Sequence, residues 1–261
     1  MSSWAQLTHT GKCPGPFPLS ARPYVQCWRH SPCRMPYLGH TRHAPYDCFV
    51  LVEELVIRSC SNIVRWPVEE LRCFPRLRSL CIGYCSKLEG NGSSCEEEEI
   101  LPLPQLERLE IYSCDSLIQI PKLPASLEKI SIEHSGSLAA LPSNLGDLAK
   151  LRELFVWNCG ALKALPADGM DGLTSLERLT IGWCPGIEKF PQGLLQRLPA
   201  LKYLCIYGCP DLQRRCREGG EYFDLVASIP YKNIPAPAPA PERKKAVKWL
   251  LPSCGGSSQG N

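Results

Sequence analysis

Cys27, His30, Cys33, His40, His43 and Cys48 crowd into one stretch of the chain, and residues of these types are the usual ligands of zinc. A zinc site needs them at spacings that let one turn present two ligands, as in C-x2-C. No such pair occurs in the stretch and no finger spacing follows, so it reads as a Cys- and His-rich segment without a metal. Cys81/Cys85 and Cys205/Cys209 have the form C-x3-C. Each pair, however, straddles two different slots of the repeat described below, which makes all four residues structural. The phosphate-cradling patterns G-x4-G-K-[ST] and G-x-G-x-x-G are missing, as is the metalloprotease pattern H-E-x-x-H. Of the five histidines only His134 falls within the repeats, which leaves a Ser/His/Asp or Cys/His site little to build on. Asn91-Gly92-Ser93 is a single glycosylation triplet, a pattern that chance readily produces. Bond-making chemistry, a metal and a cofactor are therefore not expected, and recognition remains: a binding scaffold rather than an enzyme.

Recognition needs a surface, and the period of the chain supplies one. From Val52 onward a pattern returns seven times: apolar, two variable, apolar, one variable, Ile or Val, two variable, then usually Cys. Its copies are Val52/Leu55/Ile57/Cys60, Leu77/Leu80/Ile82/Cys85, Leu106/Leu109/Ile111/Cys114, Leu127/Ile130/Ile132/Ser135, Leu151/Leu154/Val156/Cys159, Leu176/Leu179/Ile181/Cys184 and Leu201/Leu204/Ile206/Cys209. Another aliphatic follows three positions later, and five copies then reach a proline: Pro67, Pro121, Pro142, Pro166 and Pro191. Successive starts lie 25, 29, 21, 24, 25 and 25 residues apart, within the range of leucine-rich repeats. In a short strand the second aliphatic and the Ile/Val point the same way, inward, and the residue between them points out. One repeat cannot bury its apolar row alone, so the copies must stack into one core. The expected fold is an α/β-type repeat solenoid, a leucine-rich-repeat horseshoe of about seven repeats with a curved parallel sheet and a mostly irregular convex side. Cys suits the point where the chain leaves the strand, as a small buried side chain with a weak donor.

The outward slots then name the candidate site. Tyr112, Phe155, Trp157, Tyr203 and Tyr207 occupy them, with Tyr84 and Trp183 beside them at the strand exits and Arg108, Arg152 and Arg178 between. Aromatic residues and arginine on a surface are what protein-binding hot spots are made of. The competing account is that the rings merely pack on one another along the sheet; an apolar stripe otherwise left in water favours binding. Replacing Trp157 and Trp183 with alanine should then weaken binding with little loss of fold.

Around the repeats the chain changes character. Residues 1–49 are rich in Pro, Cys, His and Arg, show neither helix nor strand period, and read as a poorly ordered leader. Residues 50–216 are the solenoid, interrupted by the glycine- and glutamate-rich loop Gly90–Glu99. Residues 217–234, with Tyr222, Phe223, Leu225, Val226 and Ile229, would cover the last repeat, and 235–261 form a Pro/Ala-rich and basic tail expected to be disordered. A net charge of +3 is too small for a nucleic-acid binder. Residues 49–216 are mildly acidic, with eighteen basic and twenty-one acidic groups, and offer no basic face for phosphates. Met1–Pro18 has no apolar run of signal-peptide length, and no window reaches the roughly eighteen apolar residues of a membrane span. Despite sixteen cysteines, a reducing, cytoplasmic setting is expected.

The strings LRELFVWNCGALKALP, GLTSLERLTIGWCPGIEKFP and LPALKYLCIYGCPDLQRRCREGGEYFDLVASIP resemble the C-terminal repeats of plant intracellular nucleotide-binding leucine-rich-repeat disease-resistance proteins. The last string looks like the usual end of the grass members of that family. The resemblance covers roughly Val50 to Pro230 and implies recognition of pathogen effectors, or of host proteins that effectors modify, in plant defense. A guarded host protein or the receptor's own domains would be further partners. The family's nucleotide-binding module and coiled coil have no counterpart here, so nucleotide-dependent switching is not carried over, and the chain is expected to be a truncated relative or a fragment. The alternative is a substrate adaptor of a ubiquitin ligase of the F-box type, which also joins a leader to such repeats. The leader's lack of an amphipathic helical pattern counts against it.

Overall fold

The computed structural model describes residues 24–27, 49–90, 100–166, 170 and 172–237. The aliphatic pairs of the repeat do what alternation demands: Leu80 and Ile82, Leu109 and Ile111, Leu154 and Val156, Leu179 and Ile181 are all buried. They define the strands β2 (Glu54–Arg58), β3 (Ser79–Gly83), β4 (Arg108–Tyr112), β5 (Lys129–Glu133), β6 (Glu153–Trp157), β7 (Arg178–Gly182) and β8 (Tyr203–Tyr207). Two short strands flank them, β1 (Tyr24–Cys27) and β9 (Tyr231–Asn233), giving one nine-stranded parallel sheet in sequence order. The register never slips. Leu80, Leu109, Ile130, Leu154, Leu179 and Leu204 form one inward row, and Ile82, Ile111, Ile132, Val156, Ile181 and Ile206 the next. Each repeat is thus one layer of a single core, and the fold is a leucine-rich-repeat solenoid.

The leader departs from its expectation at one point. Tyr24–Cys27 pairs with β2, Tyr24 against Glu54 and Cys27 against Ile57, so β2 is not the edge of the sheet. Four residues without the flanking leucines of a repeat are too short a run for a period to reveal. The remaining residues of the Cys/His cluster, the loop 91–99 and the tail beyond 237 lie outside the described residues.

Every described strand from β2 to β7 ends in a non-glycine residue of left-handed backbone: Ser59, Tyr84, Ser113, His134, Asn158 and Trp183, with φ between 51° and 55°. At the end of β8 the same place is taken by Gly208, φ 65°. The turn is held by the next residue. The thiols of Cys60, Cys85, Cys114, Cys159, Cys184 and Cys209 donate back to the carbonyl two residues earlier at 3.2–3.6 Å. Ser135 does the same through Oγ at 3.4 Å, which is why serine serves in that slot. The sulfurs also accept, since the Cys184 N–H reaches Cys209 Sγ at 3.4 Å. Hydrogen bonding with Cys85 and burial together push the Cys114 thiol well up, and the same two causes, through Cys184, raise Cys159. Burial is the main cause that lifts Cys209 to about 11. All of these cysteines are free and buried, and hydrogen bonding with Cys114 and Cys159 pulls the Cys85 and Cys184 thiols down as their partners go up, so that each pair shares its hydrogen bond within a stack of small hydrogen-bonding hydrophobes.

The convex return is made of turns, one short helix, α1 (Val68–Leu71), and 3-10 turns at Leu145–Asp147 and Leu195–Arg197. After β8 the chain folds over the last layer through α2 (Pro210–Arg215) and α3 (Phe223–Ala227), burying Tyr222, Val226 and Ile229 while Phe223 stays exposed. No helix among the described residues is long and apolar enough to cross a membrane.

Candidate protein-binding face

The outward side chains of a parallel sheet in constant register line up in rows across the strands, so the concave face is a grid. Its rows divide the labour by chemistry. Along the strand starts run charges: Arg78 pairs with Glu107, Lys129 with Glu153 (3.6 Å) and Glu153 with Arg178 (3.5 Å), while Glu177 takes both Arg152 (2.7 Å) and Lys202 (3.4 Å). The Arg152 hydrogen bond holds the Glu177 carboxyl below its ordinary range. These pairs are solvent-exposed and fix side-chain order more than they stabilise the fold.

Along the strand ends run rings, and glycines decide where they lie. The ring of Trp157 on β6 rests directly over Gly182 on β7, where an added Cβ would come within 2.1 Å of Trp157 Cε3. Lying across that gap, the indole reaches the next strand but one and stacks on Tyr207, centroids 6.1 Å apart and planes within 15°. Phe155 stacks on its other side at 5.7 Å and 13°. Trp183, half exposed at 50%, meets Tyr207 edge-on at 5.5 Å and covers Gly208. The same device recurs on β3 and β4. The Tyr112 ring occupies the space over Gly83, with Cζ 2.2 Å from the would-be Cβ, and so comes under the Arg58 guanidinium, 5.4 Å from the ring centre. Tyr84 closes on Tyr112 edge-on at 5.1 Å. Burial of the Tyr112 hydroxyl, and next the charge of the Cys81 thiol beside it, push its pKa up to about 12.

The ten residues expected to form the site are therefore not one stripe. Phe155, Trp157, Trp183 and Tyr207 make a C-terminal platform, and Tyr84 and Tyr112 an N-terminal one. Tyr203 lies apart near the strand starts, sandwiched between Arg178, 4.4 Å from its ring centre, and Tyr231 of β9, stacked at 4.7 Å. Arg152 is engaged with Glu177, and Arg108 is half-buried at the start of β4, so neither meets a platform ring. Cys81 and Cys205 also part company, Cys81 buried and Cys205 half-buried in the outward row. Sequence reasoning misses Gly83, Gly182, Tyr231 and Arg58. The signal for the glycines is their type, since an outward slot in mid-sheet holding glycine marks a close approach by something else.

Gly182→Val tests this geometry. The new side chain must expel Trp157 from its seat, with an expected loss of about 1–3 kcal/mol and a red-shifted tryptophan emission. Unchanged emission and stability would show that the indole is seated elsewhere.

No family model matches the chain. Over 88 residues it is 30% identical to the disease resistance protein RPP4 of Arabidopsis thaliana. Over 86 residues it is 34% identical to the disease resistance protein RPP5 of the same plant. The likeness is to plant disease resistance proteins. The matched stretches are 33% and 32% of this chain but only 7% and 6% of those much longer relatives. Among solved structures, the mouse RP105/MD-1 complex is similar at 18% identity and a TM-score of 0.47, over 74% of this chain and 32% of that one. The leucine-rich repeat domain of the type III effector XCV3220 (XopL) is similar at 24% identity and a TM-score of 0.38, over 64% of each.

Proposed function

We propose that the chain is the protein-binding leucine-rich-repeat part of a plant disease-resistance protein of the nucleotide-binding type. It works in the cytoplasm without catalysis, and recognises pathogen effectors or host proteins that effectors modify. The observation that carries this reading is the C-terminal platform: stacked aromatic rings held out to solvent on the concave face of a rigid sheet, an arrangement that a monomer has no use for in its own core. The likeness to RPP4 and RPP5, disease resistance proteins of Arabidopsis thaliana, supports a part in defense.

The test is quantitative binding of the full chain to a panel of purified effectors, followed by Trp183→Ala. Trp183 projects beyond the sheet, so its loss should weaken a genuine partner about 10–30-fold, the 1–2 kcal/mol of a mid-sized hot spot, with the melting temperature unchanged. Trp157→Ala should weaken binding too. It is no longer expected to leave the fold untouched, because the indole is half-buried on Gly182. A panel that yields no partner, or a partner indifferent to Trp183, overturns the reading.

A further inference from the structure

Over the last three strands the outward residues form a groove. Its floor is the middle row, which drops from Phe155 on β6 to the smaller Thr180, Cys205 and Asn233 on β7, β8 and β9. One wall is Trp183 with Tyr207 at the strand ends, and the other is Tyr203 with Tyr231 at the strand starts. All four rings are exposed, Tyr231 most of all at 61%. The walls stand four residues apart along β8, about 13 Å, so one segment of chain fits between them. Phe155 closes the groove at β6, and at β9 it is open. The charges beside it, Arg152, Arg178 and Lys202, are engaged with Glu153 and Glu177, so the groove offers rings rather than ions.

The open end is where the chain leaves the described residues. β9 pairs as far as Asn233 beside Cys205, so two residues on, Pro235 comes level with Tyr207. That point is fixed: Gln213 Nε2 donates to the Pro235 carbonyl at 2.8 Å, and Arg217 donates to that of Ile234 at 3.3 Å. Residues 238–241 alternate alanine and proline, a spacer of about 12 Å when extended, against about 14 Å from β9 to β6. After it, Val247, Trp249, Leu250 and Leu251 are the one cluster of large apolar side chains in residues 238–261. Residues 242–251 carry four basic groups and one acid, and the solenoid is net acidic, which draws the segment back at long range.

We infer that residues 247–251 of this chain seat in the groove over β7–β9, with Trp249 and the two leucines among the four rings and the basic side chains left in water. Both surfaces are apolar and otherwise wet, which makes their contact favourable. The tether holds the segment at a local concentration on the order of mM, so that even a weak contact is filled. Trp183 and Tyr207 also belong to the C-terminal platform, so a seated tail and a bound partner exclude each other. That consequence, unlike the contact itself, rests on the platform being the partner site.

The experiment compares the ¹⁵N indole signals of the full chain with those of the double variant Leu250→Asp, Leu251→Asp, whose changes lie outside the solenoid. The Trp183 signal is expected to move, by the same amount at every protein concentration, while that of the buried Trp66 stays. A synthetic peptide of residues 242–252 should bind the variant saturably and return the Trp183 signal toward its position in the parent. Its apparent affinity for the parent should be about tenfold or more weaker, because the tethered copy competes. Tyr231→Ser, on the wall away from Trp183, should release the tail as well and move the Trp183 signal as the aspartates do. An unmoved Trp183 signal, equal peptide binding by parent and variant, or no effect of Tyr231→Ser overturns the seat. A shift that fades on dilution assigns the groove to the tail of a second copy and overturns it too. If Trp183→Ala still weakens an effector partner while the tail variants change nothing, the binding face stands and only the seat of the tail falls.

Discussion

Leu179→Ala is expected to lower the stability of the solenoid by about 3–5 kcal/mol, as deletion of a fully buried leucine does when the space cannot collapse. Leu179 has no exposed surface and sits mid-row, with Leu154 and Leu204 as its register partners on the two adjacent strands. The strands on both sides fix the layer spacing through their own ladders, so the cavity cannot close by moving one element. A second effect is peculiar to this architecture. In a stack where each layer touches only its neighbours, weakening one layer uncouples the two ends. Urea unfolding followed by circular dichroism should therefore shift to a lower midpoint and broaden, with β2–β6 outlasting β8 and β9, so that the apparent slope falls. A loss below about 1 kcal/mol with an unchanged slope would mean that the layers slump to fill the space.

The core was the part of the molecule most legible in the sequence, for a physical reason. Burial in a stacked sheet repeats at each layer, so the rule that puts Leu154 and Val156 inside puts Leu179 and Ile181 inside as well. The cysteine slot was legible for the same reason, and its serine variant in repeat four identifies the side chain's task as donating a hydrogen bond, not redox chemistry. The rings were legible as outward residues but not as two platforms, because their partners lie a repeat or two away and are chosen by which slot holds glycine. Trp157 finds Tyr207 only because Gly182 lets it lie down.

Backbone shape was legible least of all. Local preference puts glycine or asparagine in a left-handed turn, as at Gly208 and Asn158, yet Tyr84 and Trp183 stand in the same turn with φ of 55° and 51°. A residue so placed costs about 1–2 kcal/mol locally. Six ladder-forming N–H groups in that turn, from Ser59 N to Trp183 N, bond the neighbouring strand at 2.7–3.0 Å and impose the shape regardless of side chain. The turn aims Tyr84 and Trp183 outward from the sheet, which is where a binding surface needs them.

Gln213→Leu should cost about 2–4 kcal/mol although it replaces a polar residue with an apolar one of similar size. The expectation follows from how the cysteine stack ends. Cys184 N–H donates to the sulfur of the next repeat, Cys209. Cys209 N–H faces the same need, but no further repeat offers a sulfur, and Gln213 Oε1 on α2 takes its place at 3.0 Å. The amide's other end donates from Nε2 to the Pro235 carbonyl at 2.8 Å, tying down the chain just after β9. Gln213 is only 2% exposed, so water does not readily replace it. Leucine would leave a buried N–H and a partly buried C=O without partners, and each such loss is worth about 1–3 kcal/mol. The damage should be local. Amide exchange of Cys209 and of β9 should speed up by more than that of β4 or β5, because stability in a stacked array is not shared evenly. Equal stability and unchanged exchange for Gln213→Leu would show that the end of the stack is satisfied by solvent and that the amide is incidental to closing it.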